Sequence, residues 1–124
     1  MANPLYDNLI GKHATNDASF LRQPGRPTVS FRQFTEQTSQ VANLLLKHGL
    51  KPGDRVAVQA SKTIEMVILY GATIQAGGVF LSLNTDYKKD EISYFIKDAS
   101  PKIFVCDPQK QKELEEIADQ VGSQ

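Results

Sequence analysis

Few side chains in this sequence have the type and spacing that chemistry would need. The histidines are His13 and His48, far apart, and Cys106 is the one cysteine. Neither histidine has an acid or nucleophile at a telling distance, so general-base work has no sequence support. His48 falls in the last turn of an expected helix, where a partial positive charge suits the helix dipole. Two histidines and one distant cysteine also lack metal-ligand spacing. Cys106 closes an apolar run and reads as a small buried hydrophobe. Gly77-Gly78 is the one paired-glycine site. It follows an apolar helical stretch, so it closes a helix; phosphate sites need glycines that open one. Neither Gly-x-x-x-x-Gly-Lys-Ser/Thr nor Gly-x-Gly-x-x-Gly occurs, which leaves the usual phosphate cradles without a counterpart. Lys62 and Glu65 have the spacing of a surface ion pair at a helix start. Asn84, Thr85 and Asp86 follow an expected core strand, beyond whose carboxyl end ligands bind in open parallel sheets. Asn84-Thr85 is therefore the best local candidate for touching a ligand or a neighbouring domain. A capping and turn role is the preferred reading, because these residue types favour it intrinsically. No catalytic, cofactor-binding or metal-ligating set is assigned.

The elements that would position these residues are legible from pattern. Asn3-Pro4 is an N-cap followed by proline at the first helical position, and Leu5 and Leu9 share a face over about 4–12. Residues 19–22 and 28–29 are short strands around the Pro24-Gly25-Arg26-Pro27 turn, an edge hairpin. Ser30 with Gln33 makes a capping box for a helix over 30–48, with Val29 stapling onto Phe34. Phe34, Val41 and Leu45 line its buried face, widened by Ala42 and Leu46, and Gly49 ends it. Pro52-Gly53 suits a type II turn. Residues 55–60 then alternate, with Val56, Val58 and Ala60 on one side. Ser61 is positioned to cap a helix that is apolar nearly all round, from Ile64 to Ile74, and hence buried. Val79–Leu83 is expected to be a second buried strand. Ile92, Phe95, Ile96 and Ala99 define a helix over about 88–98, followed by an apolar strand at 103–106. Asp107-Pro108 caps a last helix whose buried stripe is Leu114, Ile117, Ala118 and Val121. Lys110, Lys112, Glu113, Glu115, Glu116 and Asp119 form its solvated side. Alternating strands and helices predict a mainly parallel sheet covered by helices on both faces, with a small N-terminal helix and hairpin added.

Composition sets the outer bounds. The 124 residues are 40% hydrophobic and 23% charged, ordinary for a globular chain. This length fits a single α/β subdomain over 1–124 that buries roughly two-thirds of its unfolded surface. Fourteen basic residues balance fourteen acidic ones, so no net field steers it toward nucleic acid or an anionic membrane. Nor does net repulsion oppose self-association. The first residues lack a signal or transit pattern, and no apolar run approaches the ~20 residues of a membrane helix. One unpaired cysteine suits a reducing, cytoplasmic setting.

Three colinear segments carry a resemblance. Val29-Ser-Phe-Arg-Gln-Phe34, Leu50-Lys-Pro-Gly-Asp-Arg-Val-Ala-Val58 and Ile74-Gln-Ala-Gly-Gly-Val-Phe-Leu-Ser-Leu-Asn84 resemble successive motifs of the adenylate-forming acyl-CoA synthetase superfamily. The resemblance runs over about residues 5–121. It is nearest to the malonyl-CoA synthetases, through Gln59-Ala-Ser-Lys-Thr, Leu83-Asn-Thr-Asp-Tyr87, Tyr94-Phe95, Asp98-Ala-Ser-Pro-Lys102 and Val105-Cys-Asp-Pro108. Gln75 stands where the family commonly has lysine, and Ser82 where proline is usual.

The resemblance implies a two-step activity for a parent protein. ATP and Mg²⁺ convert a carboxylate to an acyl-adenylate with release of pyrophosphate, and the thiol of coenzyme A then displaces AMP. The phosphate loop, acidic metal ligand, ribose-binding aspartate and catalytic lysine of that family have no counterpart here. The expectation is therefore an N-terminal scaffold portion, inactive alone, that binds no cofactor itself. Its partner would be the remainder of the synthetase, with self-association through apolar surface also expected. Two alternatives stay open: an adenylation-domain fragment for another carboxylic or amino acid, and a freestanding interaction module.

Overall fold

The computed structural model describes residues 3–120 and 122–123. Its main sheet has three parallel strands: β3 (Arg55–Gln59), β4 (Val79–Ser82) and β5 (Ile103–Cys106), in the order β4-β3-β5. Val56 lies beside Phe80 on one side and Ile103 on the other. A separate antiparallel hairpin joins β1 (Ser19–Leu21) to β2 (Val29–Ser30). The hairpin expected from the Pro-Gly turn thus forms apart from the parallel sheet.

Helices cover both faces. α2 (Phe31–Lys47) and α3 (Ile64–Gln75) cover one, where Ala42, Leu45 and Ala72 pack on Val56 and Val58. α4 (Lys89–Ala99) and α5 (Gln111–Gln120) cover the other, where Ile92, Ile96, Leu114 and Ile117 close over Ala57. The apolar side chains of β3 are sealed on both faces, which is the condition of a central parallel strand. Val56 and Val58 share one face with Ala60 beside them, as the alternation predicts; the opposite face is covered as well, so Ala57 and Gln59 are also fully buried. β4 departs in the opposite sense. It is an edge strand with Val79 43% exposed, not the buried strand its apolar run suggested.

A further layer lies outside α2 and α3. α1 (Pro4–Leu9), a 3₁₀ turn at Gly11–His13 and the hairpin gather around Ile10, Phe34, Ile64 and Ile68. Asn3 ties this layer down with both ends of its amide. Its Oδ1 caps α1 by accepting from Tyr6 N–H, while its Nδ2 donates to Ile74 O at 2.8 Å. The packed face is that of Tyr6 and Ile10, while Leu5 and Leu9, whose spacing predicts a shared face, are both exposed.

Helix ends obey local chemistry. Ser30 and Gln33 form the reciprocal capping box. Gly49 takes φ +92°, its N–H bonds Leu46 O, and Leu50 N–H reaches back to Leu45 O, which is a Schellman closure. α3 ends in the same way: Gly77 and Gly78 donate to Ile74 O and Thr73 O. The buried face of α2 is polar as well as apolar, since Thr35 and Thr38 are enclosed while Leu46 is exposed. Two caps differ from expectation. Thr63, not Ser61, caps α3. Asp107 precedes a 3₁₀ turn at Pro108–Lys110 and makes no side-chain cap. Leu114, Ile117 and Ala118 are buried as expected, and Val121 lies outside the described residues.

Candidate functional site

The order β4-β3-β5 places the middle strand first in the chain. α3 carries the chain from β3 to β4, and α4 carries it back past β3 to β5. The switch point of this sheet is the crevice between the carboxyl ends of β3 and β5, the position where open α/β sheets take ligands. In this protein a carboxylate of the chain itself occupies it. Asp107, just past β5, accepts from Ser61 N–H at 3.2 and 3.3 Å and from Ser61 Oγ–H at 3.0 Å.

Two more side-chain links complete the rim. Gln59, at the end of β3, donates through Nε2 to Asn84 O at 2.9 Å and Tyr87 O at 3.3 Å. Lys110 Nζ donates to Thr85 O at 3.1 Å. The three strand ends are thus cross-braced, mostly through backbone carbonyls. Gln59 is completely buried, and its Oε1 has no partner among the described residues. Cys106 sits next to Asp107; burial pushes its thiol up, the Asp107 charge adds to this, and Lys110 opposes it. A thiol so shifted stays protonated and weakly nucleophilic at neutral pH.

Beside the rim, between β3, β4 and the start of α3, lies a cleft of ≈ 590 Å³ bordered by Ser61, Lys62, Met66, Ser82, Asn84 and Thr85. The candidate pair Asn84-Thr85 therefore does face a concavity. Its polar groups are largely used locally: Asn84 Oδ1 accepts from Asp86 N–H at 2.9 Å, and Asn84 O accepts from Tyr87 N–H as well as from Gln59. Lys62 borders this cleft and makes no ion pair with Glu65, contrary to the expected pairing. Glu65 instead meets Arg26 of the hairpin turn, at 2.5 Å. That contact spans 39 positions, beyond any i, i+3 pattern.

The other singled-out residues are dispersed. His13 stacks on Phe31 with ring centroids 4.6 Å apart, on the far side of α2 from the sheet. His48 is the C-cap residue of α2. Gly77 and Gly78 spend their N–H groups on the end of α3, as Gly49 and Leu50 do on α2. None of these donors is left for a phosphate oxygen, so the glycines do not fit ATP. Among the described residues no three His, Cys, Asp or Glu side chains are gathered as a metal would require.

Pattern reading missed Gln59, Asp107 and Lys110. For Gln59 a signal existed: an amide ending an apolar strand must bond something once that strand is central. Asp107 and Lys110 carried none, because their partners lie 46 and 25 positions away.

A fold of βα units, a switch point at strand ends and three motif segments spent on turns and caps define the scaffold of an adenylate-forming enzyme. The chain belongs to the AMP-binding enzyme family, whose model matches residues 11–124. It is 32% identical over 105 residues to enterobactin synthase component F of Escherichia coli O157:H7, covering 85% of this chain and 8% of that protein. The structure of apo MatB from Rhodopseudomonas palustris superposes with TM-score 0.94 at 40% identity, covering all of this chain and 25% of MatB. ATP-bound MatB from the same organism gives 0.93 at 41% identity, over 99% of this chain and 24% of that one. The chain thus spans about a quarter of these solved relatives and under a tenth of the curated one.

Proposed function

We propose that this chain is the N-terminal scaffold portion of an ATP-dependent malonyl-CoA synthetase. The parent reaction joins malonate and ATP to give malonyl-adenylate and pyrophosphate; coenzyme A then displaces AMP to give malonyl-CoA. ATP, Mg²⁺ and coenzyme A belong to that whole enzyme, and residues 1–124 form one subdomain of it. The observation that carries this reading is the alignment of the whole chain with MatB at 40% identity over only 25% of MatB. The residue-level resemblance of 59–63, 83–87 and 105–108 to malonyl-CoA synthetases supplies the acid. The role left for residues 1–124 is mechanical: the strand ends are braced by Gln59, Asp107 and Lys110.

The test is ATP–pyrophosphate exchange. Residues 1–124 alone should give no malonate-dependent exchange. A protein continuing into a Ser/Thr-Gly-Thr-Thr-Gly-x-Pro-Lys-Gly loop should exchange with malonate ahead of other acids. Exchange by the 124-residue chain in a pure preparation would overturn the scaffold role. Exchange driven by an amino acid in the longer protein would overturn malonate. That outcome would favour the second reading, an adenylation domain of a peptide synthetase, which rests on the 32% identity to enterobactin synthase component F. A cytoplasmic setting belongs to the same proposal and is checked by fractionating cells that make the protein.

A further inference from the structure

Two cavities meet at the start of α3 and share a wall. The cleft at the strand ends is bordered there by Lys62 and Met66. The same two residues border a second cavity of ≈ 310 Å³ on the hairpin side, together with Leu21, Arg22 and Gln23. The partition between the two spaces is thus the β3–α3 loop, residues 60–63, with the first turn of α3.

Residues far off in sequence grip this partition from both sides. On the rim side Asp107 accepts from Ser61 N–H and Oγ–H. On the hairpin side Gln23 Oε1 accepts from Ile64 N–H at 3.1 Å, and Arg26 pairs with Glu65. The first four N–H groups of a helix have no partner inside it. Ile64 N–H is one of these in α3, and its acceptor comes from 41 positions away. Between the two grips stands Lys62, exposed and without an ion pair among the described residues.

The gripping part of the hairpin is lightly fastened. Its strands are anchored: Leu21 and Val29 pack against the cluster of Phe34, Ile64 and Ile68, and Phe20 stacks on Phe31. The tip, residues 22–28, is exposed apart from half-buried Gln23. Among the described residues, its side-chain hydrogen bonds to other elements are those of Gln23 and Arg26. An exposed ion pair is weak, and one hydrogen bond adds a modest net amount. The tip therefore belongs to the low-cost end of local opening.

We propose that the hairpin tip is a latch on the wall of the strand-end cleft. Docked, Gln23 and Arg26 hold the β3–α3 loop and fix Lys62 at the cleft's border. Lifted, they release the loop, and the cleft opens toward the hairpin-side cavity. Gln23 and Arg26 border no part of the cleft themselves, so they are positioning residues that act through the first turn of α3. The inference rests on the fold and is independent of the acid a parent enzyme activates, so its failure leaves the proposed function standing.

The test is amide exchange by NMR on the dilute 124-residue chain, with Val58 in the centre of the sheet as internal standard. Gln23→Ala should quicken Ile64 roughly ten-fold and Ser61 roughly three-fold, with Val58 unchanged, as a local opening requires. Ser61 is the telling amide, because its own acceptor, Asp107, is untouched. Gln23→Glu keeps the acceptor oxygen and should restore both amides to about the native rate. Arg26→Ala should quicken the same two amides by a smaller factor. The order parameter of the Lys62 amide should fall in Gln23→Ala and recover in Gln23→Glu. Quickening of Ile64 alone would reduce Gln23 to a simple cap and overturn the latch. Equal quickening of Val58 would overturn it as general destabilisation. Failure of Gln23→Glu to restore Ser61, or an unchanged Lys62 order parameter in Gln23→Ala, would also overturn it.

Discussion

Arg26 in the hairpin turn and Glu65 in the first turn of α3 show how much one long-range pair can move a titration. The Arg26 guanidinium donates to Glu65 and holds its carboxyl at about 2, well below the ordinary carboxylate range. A carboxylate depressed on folding contributes stability above its unfolded pKa and loses it as pH falls through the folded value. The window is therefore about pH 4.5 down to about 2. Both side chains are substantially solvated, so screening keeps the contribution modest despite the shift. Glu65→Gln should lower the urea midpoint slightly at pH 7 and leave it unchanged near pH 2. Ser30 offers a contrasting test of purely local chemistry. Its Oγ accepts from Gln33 N–H at 3.1 Å while Gln33 Oε1 accepts from Ser30 N–H at 2.9 Å. Ser30→Ala should cost about 1 kcal/mol, read by urea unfolding with the slope unchanged. The capping box was visible in the sequence because its partners are three residues apart. The Glu65 partner was not, because the hairpin turn reaches α3 only through the tertiary fold. Gln75 makes the same point. Where the family commonly has lysine, its Nε2 meets Ser39 Oγ at 3.1 Å and joins α2 to α3.

Elements were readable where local signals coincide and blurred where burial decides. Strand and helix existence followed from apolar period, and three helix ends followed from glycines and a serine cap. Which side of an element is covered depends on its neighbours. Leu46 belongs to the apolar pattern of α2 yet is exposed, while Thr38 is fully enclosed against α3. β4 reads like a core strand but lies at an edge, a property of strand order that no local window contains. The close approach of α1, α2 and α3 gives a sharp test. A Cβ on Gly71 would meet Ile10 Cδ1, Phe34 Cζ and Thr38 Cγ2, all at 3.1 Å. Replacing a helical glycine by alanine normally gains up to ~1 kcal/mol. Here three neighbours from two elements must yield together, so overpacking of about 1–3 kcal/mol should prevail. Gly71→Ala is expected to lower stability in urea titration, and Ile10→Val placed beside it should recover part of the loss.

For the whole molecule, the family and the layered α/β design were legible from three spaced segments, while the braced rim was not. The rim rests on Gln59, Asp107 and Lys110, whose partners are backbone groups or a serine on other loops. Phe20, Tyr70 and Leu9 remain exposed around a cavity of ≈ 310 Å³ on the hairpin side, and an apolar patch of this kind favours association. With formal charge balanced, the 124-residue chain should self-associate as concentration rises. Light scattering should show its mean mass increasing, and a constant monomer mass at high concentration would refute this. The strand order also has a temporal side. β3 is the first of the sheet strands to be synthesised and becomes its centre; β4 then joins one side and β5 the other. A ribosome adding about 5–20 residues per second delivers the stretch from β3 to β5 over several seconds. Each later strand emerges to find its template already exposed beside it. These three strands can thus be laid down outward from β3 as the chain is made.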